Sequence, residues 1–210
     1  MSEVEARDMG AADRTAGAAM VAAAVLVVLA MAHHPTSAHA GAIGGMVHGT
    51  MIVLATGLAF GFAHFSIRRG LDRPAILAGL TAYGVSLFAH LGAATINGFA
   101  VPALAARPGI GHDLFQFAWE LNQALAGLGV FATGAAFVLW SIDFLGRPGA
   151  EARTIGLTGL VAGLLPGALL AAGIIRMDVA GAMIVYAIHA AWAALVGVHL
   201  LRGRLCISRS

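Results

Sequence analysis

One carboxylate in the sequence, Glu120, lies well inside a long apolar segment. Charged side chains are costly in a membrane and usually have a function there, so Glu120 is the first candidate for chemistry. Three other polar residues share its helix face at spacings of three or four: His112, Gln116 and Gln123. Because such a stripe cannot face lipid, we expect it either to line a polar pocket or to join helices by hydrogen bonds.

The preceding apolar segment has a matching stripe. Its members recur at spacings of three, four and seven residues: Tyr83, Ser86, His90 and Asn97. His90 and Glu120 each lie seven residues from the outer end of their segment, or about 10 Å deep at the helical rise. Because consecutive segments are usually neighbours, we predict that these two side chains pair.

Two more segments contribute histidines. Tyr186 and His189 are three residues apart on one face of the last segment, and His189 lies about 16 Å from its outer end. His48 and His64 lie near opposite ends of the second segment, about 160° apart around the helix axis. This angle excludes two stacked hemes held by that helix alone.

Most histidines fall in the outer half of the chain's apolar segments or in the connector beyond it. Six of the nine do so: His33, His34, His39, His48, His90 and His112. Imidazole is the commonest protein ligand for metals, and it suits Zn, Cu, Fe and Ni. No compact ligand motif such as HExxH is present. We favour a helix end broken by Pro35 for the nearest cluster, His33-His34 with His39; the alternative is a metal-capture loop.

The composition specifies an integral membrane protein. Of 210 residues, 60% are hydrophobic and only 10% are charged, against about 25% charged in soluble domains. Six apolar runs are long enough to cross a bilayer, so we predict an all-α bundle of six transmembrane helices. They cover residues 17–33, 46–67, 74–97, 113–141, 155–174 and 179–201, between tails at 1–16 and 202–210. The first run follows four acidic and two basic residues, which favours a retained helix over a signal peptide.

Arginine counts predict the orientation. Ten of the twelve arginines lie in the tails and the even-numbered connectors, and two lie in the others. The positive-inside rule therefore places both termini in the cytoplasm. We interpret the basic charge as a topology signal rather than a nucleic-acid surface. The absence of Lys beside many Ala, Gly and Arg residues suggests a GC-rich bacterial genome, hence the bacterial inner membrane.

The fifth segment carries small residues instead of polar ones. Gly159, Gly163 and Gly167 recur every fourth residue, which favours close helix packing. Gly57 and Gly61 in the second segment could form the partner surface. The contact could lie within the chain, in a homo-oligomer or in a larger complex.

Together these patterns predict a pocket open to the periplasm, walled by the second, third, fourth and sixth segments. We select four residues as candidate ligands for a transition metal or b-type heme, in redox chemistry or metal handling: His48, His90, Glu120 and His189. The predicted lining is Tyr83, Ser86, Asn97, His112, Gln116, Asn122, Gln123 and Tyr186. The alternatives are a small proton-coupled transporter using Glu120 and an accessory or assembly subunit. Whether the protein is an enzyme stays open.

Overall fold

The structure is a computed structural model that describes residues 3–34 and 42–203; the predicted loop residues Pro35 and His39 lie outside it. The described residues form long α-helices joined by short connectors. The helices are α1 (Glu3–Ala32), α2 (Ala42–Arg69), α3 (Pro74–Thr95), α4 (Val101–Ala105), α5 (His112–Leu145), α6 (Ala150–Ala171) and α7 (Val179–Leu201). Six candidate spans are long and apolar enough to cross a membrane. The chain is therefore a multi-pass membrane protein with six candidate membrane-spanning helices in its described residues, as its composition predicts.

The long helices form a closed ring. Each packs against the helix before and after it in the chain, and α1 packs against α7 to complete the circle. Large apolar side chains cover the perimeter; Val53, Phe88 and Ile174 are each at least 69% exposed. An apolar perimeter of this kind suits lipid, while the inward faces of the ring can hold a core and a site.

The third span is longer than its apolar run suggests. α3 continues through a π-helical turn at Ile96–Ala100 into α4, so the span runs from Pro74 to Ala105. Pro102 follows the π turn and cannot donate a backbone hydrogen bond, which favours a shifted hydrogen-bond pattern just before it. π turns often occur at functional sites.

Aromatic side chains fill the arginine-rich half of the ring. Phe62 of α2 stacks on Trp140 of α5 at 4.8 Å between ring centroids. Trp192 of α7 contacts Phe137 at 4.2 Å, and Tyr83 of α3 contacts Phe62 at 4.8 Å. The aromatic cluster, defined as Phe62, Phe65, Tyr83, Phe137, Trp140, Phe144 and Trp192, thus joins four helices and packs that half of the ring.

The glycines of α6 pack against α5 of the same chain. A Cβ on Gly163 would lie 2.7 Å from the Gly134 carbonyl oxygen, and one on Gly167 would meet Phe131. Gly159 faces Ser141 and Trp192. The predicted ridge is therefore used within the chain. Its expected partner is wrong: a Cβ at Gly57 or Gly61 of α2 would meet α1 rather than α6.

Ion pairs connect the helices at the arginine-rich end. Asp143 of α5 pairs with Arg69 of α2 and with Arg73 and Arg147, and the Arg69 side chain is only 1% exposed. The Arg69 guanidinium also lies 4.6 Å from the centre of the Phe144 ring. Burial lowers the pKa of the Arg147 guanidinium, while the Asp143 carboxylate acts in the opposite direction.

Further polar contacts at the same end connect α1 to α2 and α6 to α7. His64 and Arg68 of α2 both contact the Asp13 carboxylate of α1 at 2.8 Å. His199 of α7 lies 3.2 Å from Glu151 of α6. Each of these two histidines therefore has a carboxylate partner on a neighbouring helix.

Candidate functional site

A cavity of about 500 Å³ occupies the half of the ring opposite the aromatic cluster. Its size falls in the range of small-molecule and cofactor sites, about 300–1,000 Å³. All four predicted walls contribute, namely α2, the third span, α5 and α7, together with the end of α1. The polar residues that line it are His34, His48, His90, Asn97, Asn122, Asp178 and Tyr186. The apolar lining includes Met31, Met51, Phe115, Trp119 and Met177.

Two imidazoles meet at the wall of this cavity. The Nε2 atoms of His34 and His48 are 3.2 Å apart, although the ring centroids are 4.8 Å apart and the rings are nearly perpendicular. The two rings therefore turn their Nε2 edges toward each other. His48 Nδ1 donates to the Gly44 carbonyl oxygen at 2.8 Å, and this bond leaves the lone pair of neutral His48 on Nε2.

Backbone geometry on the third span brings His48 into place. A Cβ on Gly98, in the π turn, would collide with the Cβ of His48 and lie 2.9 Å from its Cγ. Only glycine allows this close approach of the π turn to α2. Asn97, which precedes Gly98, lines the cavity. The π turn thus positions both an amide and an imidazole at the site.

Two further histidines lie deeper. His90 lines the cavity and contacts the Tyr186 ring at 5.7 Å between centroids. His189 lies between the cavity and the aromatic cluster, 5.2 Å from Phe137. Among the described groups, neither His90 Nδ1 nor His189 Nε2 has a hydrogen-bond partner. Such buried unpaired atoms are uncommon in folded proteins, and they suit a bound ligand or water.

Glu120 does not reach the cavity. Its side chain is exposed and accepts a hydrogen bond from Gln116 at 2.8 Å. A Cβ on Gly129 of α5 would meet the His90 ring, and Gly129 lies nine residues beyond Glu120, or about 13 Å along the helix. The expected Glu120–His90 pair is therefore wrong. The predicted depth of His90 was counted from Asn97 as the outer end of its segment, whereas the span continues to Ala105.

The predicted lining is only partly assembled at the cavity. Asn97, Asn122 and Tyr186 line it, and Asn122 also donates to the Ala93 carbonyl oxygen at 2.9 Å. The other five lie elsewhere among the described residues: Tyr83, Ser86, His112, Gln116 and Gln123.

Each of these five has a structural reason for its place. Tyr83 belongs to the aromatic cluster, and Ser86 donates to the Gly129 carbonyl oxygen between α3 and α5. Gln123 donates to the Met177 carbonyl oxygen at 2.9 Å. His112 and Gln116 are exposed on the first turns of α5. Helical spacing identified a shared face correctly, but it did not fix which way the face turns.

The sequence analysis missed two side chains next to the histidine pair. Met31 and Met51 both line the cavity. Each is three residues from one histidine of the pair, as Met31–His34 and His48–Met51. This spacing was visible in the sequence, but methionines in an apolar run usually belong to the core, so they carry little information alone.

The donor set limits which groups the cavity could hold. Within residues 3–34 and 42–203, no cluster of three or more His, Cys, Asp or Glu side chains is positioned to hold a metal ion. A metal held by the histidine pair would therefore need other donors. No family model matches the chain, and comparison with curated proteins and with solved structures likewise gave no match.

Proposed function

We propose that the protein binds a transition-metal ion in its outer cavity, with His34 and His48 as ligands, and that it captures or hands over the ion at that face. The observation that carries this proposal is the 3.2 Å separation of the two Nε2 atoms at the cavity wall. Two nitrogens bound at about 2.0–2.1 Å to one tetrahedral ion would be about 3.3 Å apart. Little movement would convert the hydrogen-bonded pair into two ligands.

The surroundings of His48 support this role. Metal-bound imidazoles commonly donate their other ring N–H to a carbonyl or carboxylate, which fixes the tautomer and the ring orientation. His48 already makes this bond to Gly44. Binding an ion would require the Nε2 proton shared by the pair to leave.

The geometry favours a metal ion over heme. Two axial nitrogens on opposite sides of one iron would be about 4 Å apart, twice the metal–nitrogen distance. The His34 and His48 nitrogens are closer, and their rings meet edge to edge rather than across an open slot.

The cavity also favours capture over conduction. The aromatic cluster packs in the half of the ring opposite the cavity, and no conduction path is needed for the histidine pair to hold an ion. Glu120 is not part of the cavity lining, which supports a metal site there over a proton site at Glu120.

Metal analysis of the purified protein tests the proposal. The detergent-solubilised chain is stripped with a chelator and dialysed against an equimolar mixture of Zn(II), Co(II) and reduced copper. We expect about one ion per chain. His48→Ala should lower metal affinity by at least about tenfold, because even outer partners of metal ligands contribute 10–100-fold.

His33→Ala is the matched control. His33 is adjacent to His34, is exposed, and bonds its own helix at the Leu29 carbonyl oxygen. We expect His33→Ala to bind metal like the wild-type chain. Equal metal content in His48→Ala and the wild-type chain, or no bound metal in the latter, would overturn the proposal.

We further propose that the cavity faces the periplasm of a bacterial inner membrane. The ten-to-two distribution of arginines supports this orientation. Reporter fusions after Arg73 and Arg147 should then report the cytoplasm, and a fusion after Arg107 should report the periplasm. A cytoplasmic result after Arg107 would place the cavity on the other side.

A further inference from the structure

We propose that the metal is copper(I), and that Met31 and Met51 complete its coordination with thioether sulfur. This inference rests on the proposed metal site at His34 and His48. It assigns two donors that the imidazole pair alone does not supply, and it names the oxidation state that the site prefers.

The placement of the two methionines carries the inference. Met51 lies one turn from His48 on the same face of α2, since residues three apart on a helix are neighbours. Met31 precedes His34 by three residues, and the His34 amide donates to the Met31 carbonyl oxygen at 3.0 Å. Both methionines line the cavity. Each histidine of the pair therefore has a methionine three residues away that lines the same cavity.

The remaining donors argue against a harder ion. Structural zinc sites use four His, Cys or carboxylate ligands, and catalytic ones use three. Among the residues that the structure describes, no such set of three exists. The Asp178 carboxylate lines the cavity, but it already caps α7 by accepting from the Gly181 amide at 2.9 Å. Beside the amides of Asn97 and Asn122, the cavity lining offers imidazole and thioether donors.

Donor softness then selects the metal. Thioether ligands favour Cu(I), whereas carboxylate and water suit Mg, Ca and Mn. A third methionine, Met177, lines the same cavity and is 8% exposed, so the surroundings of the pair are soft as well as apolar. A neutral donor set in a largely apolar cavity also suits an ion of single charge better than a dication, because burying charge is costly.

The experiment measures the ratio of Cu(I) to Zn(II) affinity for the full chain. Cu(I) is titrated anaerobically against a chromophoric chelator, and Zn(II) is titrated in parallel. Met31→Leu and Met51→Leu remove sulfur at similar volume, which cores tolerate well. We expect each to lower Cu(I) affinity by at least about tenfold, on the same scale as other metal-site partners. Zn(II) affinity should stay unchanged, which also shows that the variant is folded.

Met46→Leu is the matched control, because Met46 lies on the same helix but is 71% exposed. We expect it to leave both affinities unchanged. A second measurement does not depend on any variant: the X-ray absorption spectrum of the Cu(I)-loaded wild-type chain should show sulfur as well as nitrogen neighbours.

The failures of the two proposals are distinguishable. Copper without sulfur neighbours, or wild-type Cu(I) affinity in the Met31→Leu/Met51→Leu chain, would overturn the copper(I) inference while histidine-dependent binding persists. A wild-type chain that binds neither Cu(I) nor Zn(II) would overturn the metal site itself. Sulfur neighbours together with a Cu(I)-selective loss in the two leucine variants would support both.

Discussion

The polar residues at the two ends of the bundle differ in type and in how they are paired. At the arginine-rich end, the buried carboxylates of Asp143 and Asp13 and the partly exposed carboxylate of Glu151 each contact cationic or imidazole side chains on neighbouring helices. At the outer end, the polar groups are mainly imidazoles and amides around a cavity. The deeper imidazoles His90 and His189 each keep a buried nitrogen without a partner among the described groups.

This difference indicates that one end of the bundle stabilises the fold and the other end binds a ligand. A buried charge is tolerable when an opposite charge and hydrogen bonds compensate it. These ion pairs are therefore explained by their structural role, which is to link neighbouring helices. The imidazoles beside the cavity are unevenly hydrogen-bonded and have ring nitrogens that can accept a ligand. The comparison therefore assigns stability to one end and binding to the other.

The largest effect is expected at Asp143. Asp143→Ala leaves the buried Arg69 guanidinium without its carboxylate, and breaking a buried pair in this way costs about 3–5 kcal/mol. The thermal unfolding midpoint in detergent should fall sharply. Asp113→Ala at the exposed first turn of α5 should leave the midpoint close to the wild-type value. Similar unfolding midpoints for both variants would contradict the claim that the ion pairs at the arginine-rich end stabilise the fold.

A smaller effect is expected at the π turn. Gly98→Ala places a methyl group against His48 and should displace its ring. Tightening a well-packed core costs about 1–3 kcal/mol, so the fold should persist with metal affinity reduced. Gly84→Ala on the same span, where an added Cβ meets nothing within 4 Å, is the control for both stability and metal binding. Unchanged metal affinity in Gly98→Ala would show that the π turn does not position His48 for metal binding.

The smallest effect is expected at Glu120. Glu120→Gln keeps the contact with Gln116 and removes an exposed charge outside the cavity. We expect metal content and the unfolding midpoint to match the wild-type chain, because exposed polar substitutions rarely change stability by more than about 0.5 kcal/mol. Loss of bound metal in this variant would restore Glu120 as a ligand and contradict the geometry of α5.

Periodicity and composition were enough for the architecture. The six apolar runs coincide with six helices, and the short connectors correctly indicate that consecutive helices are neighbours. Hydrophobicity works here because a spanning helix must be long and apolar along its whole length. The concentration of histidines in the outer half likewise points to the half that contains the cavity.

Depth and rotation could not be obtained in the same way. The predicted level of His90 depended on where the third span ends, and the π turn before Pro102 extends that span by eight residues, from Asn97 to Ala105. The rotation of α5 depended on packing: Asn122 and Ala126 face the cavity, while Glu120 faces outward. Local spacing specifies neither, because both are set by contacts with other helices.

The histidine pair shows the same limit at a single site. His34 and His48 are fourteen residues apart, on either side of a connector, and nothing in their spacing indicates that their Nε2 atoms meet. Packing of α1 against α2 brings them together. Of this pair, only His48 was among the four candidate ligands selected from the sequence, and tertiary packing added His34.

A double-mutant cycle on His34 and His48 tests the central claim most directly. If the two imidazoles share one ion, either single alanine variant should lose nearly as much Cu(I) affinity as the double variant, because residues that act on one ligand are strongly non-additive. The account predicts this non-additivity in the full chain at equilibrium. Additive losses from the two single variants, or wild-type affinity in the double variant, would contradict it.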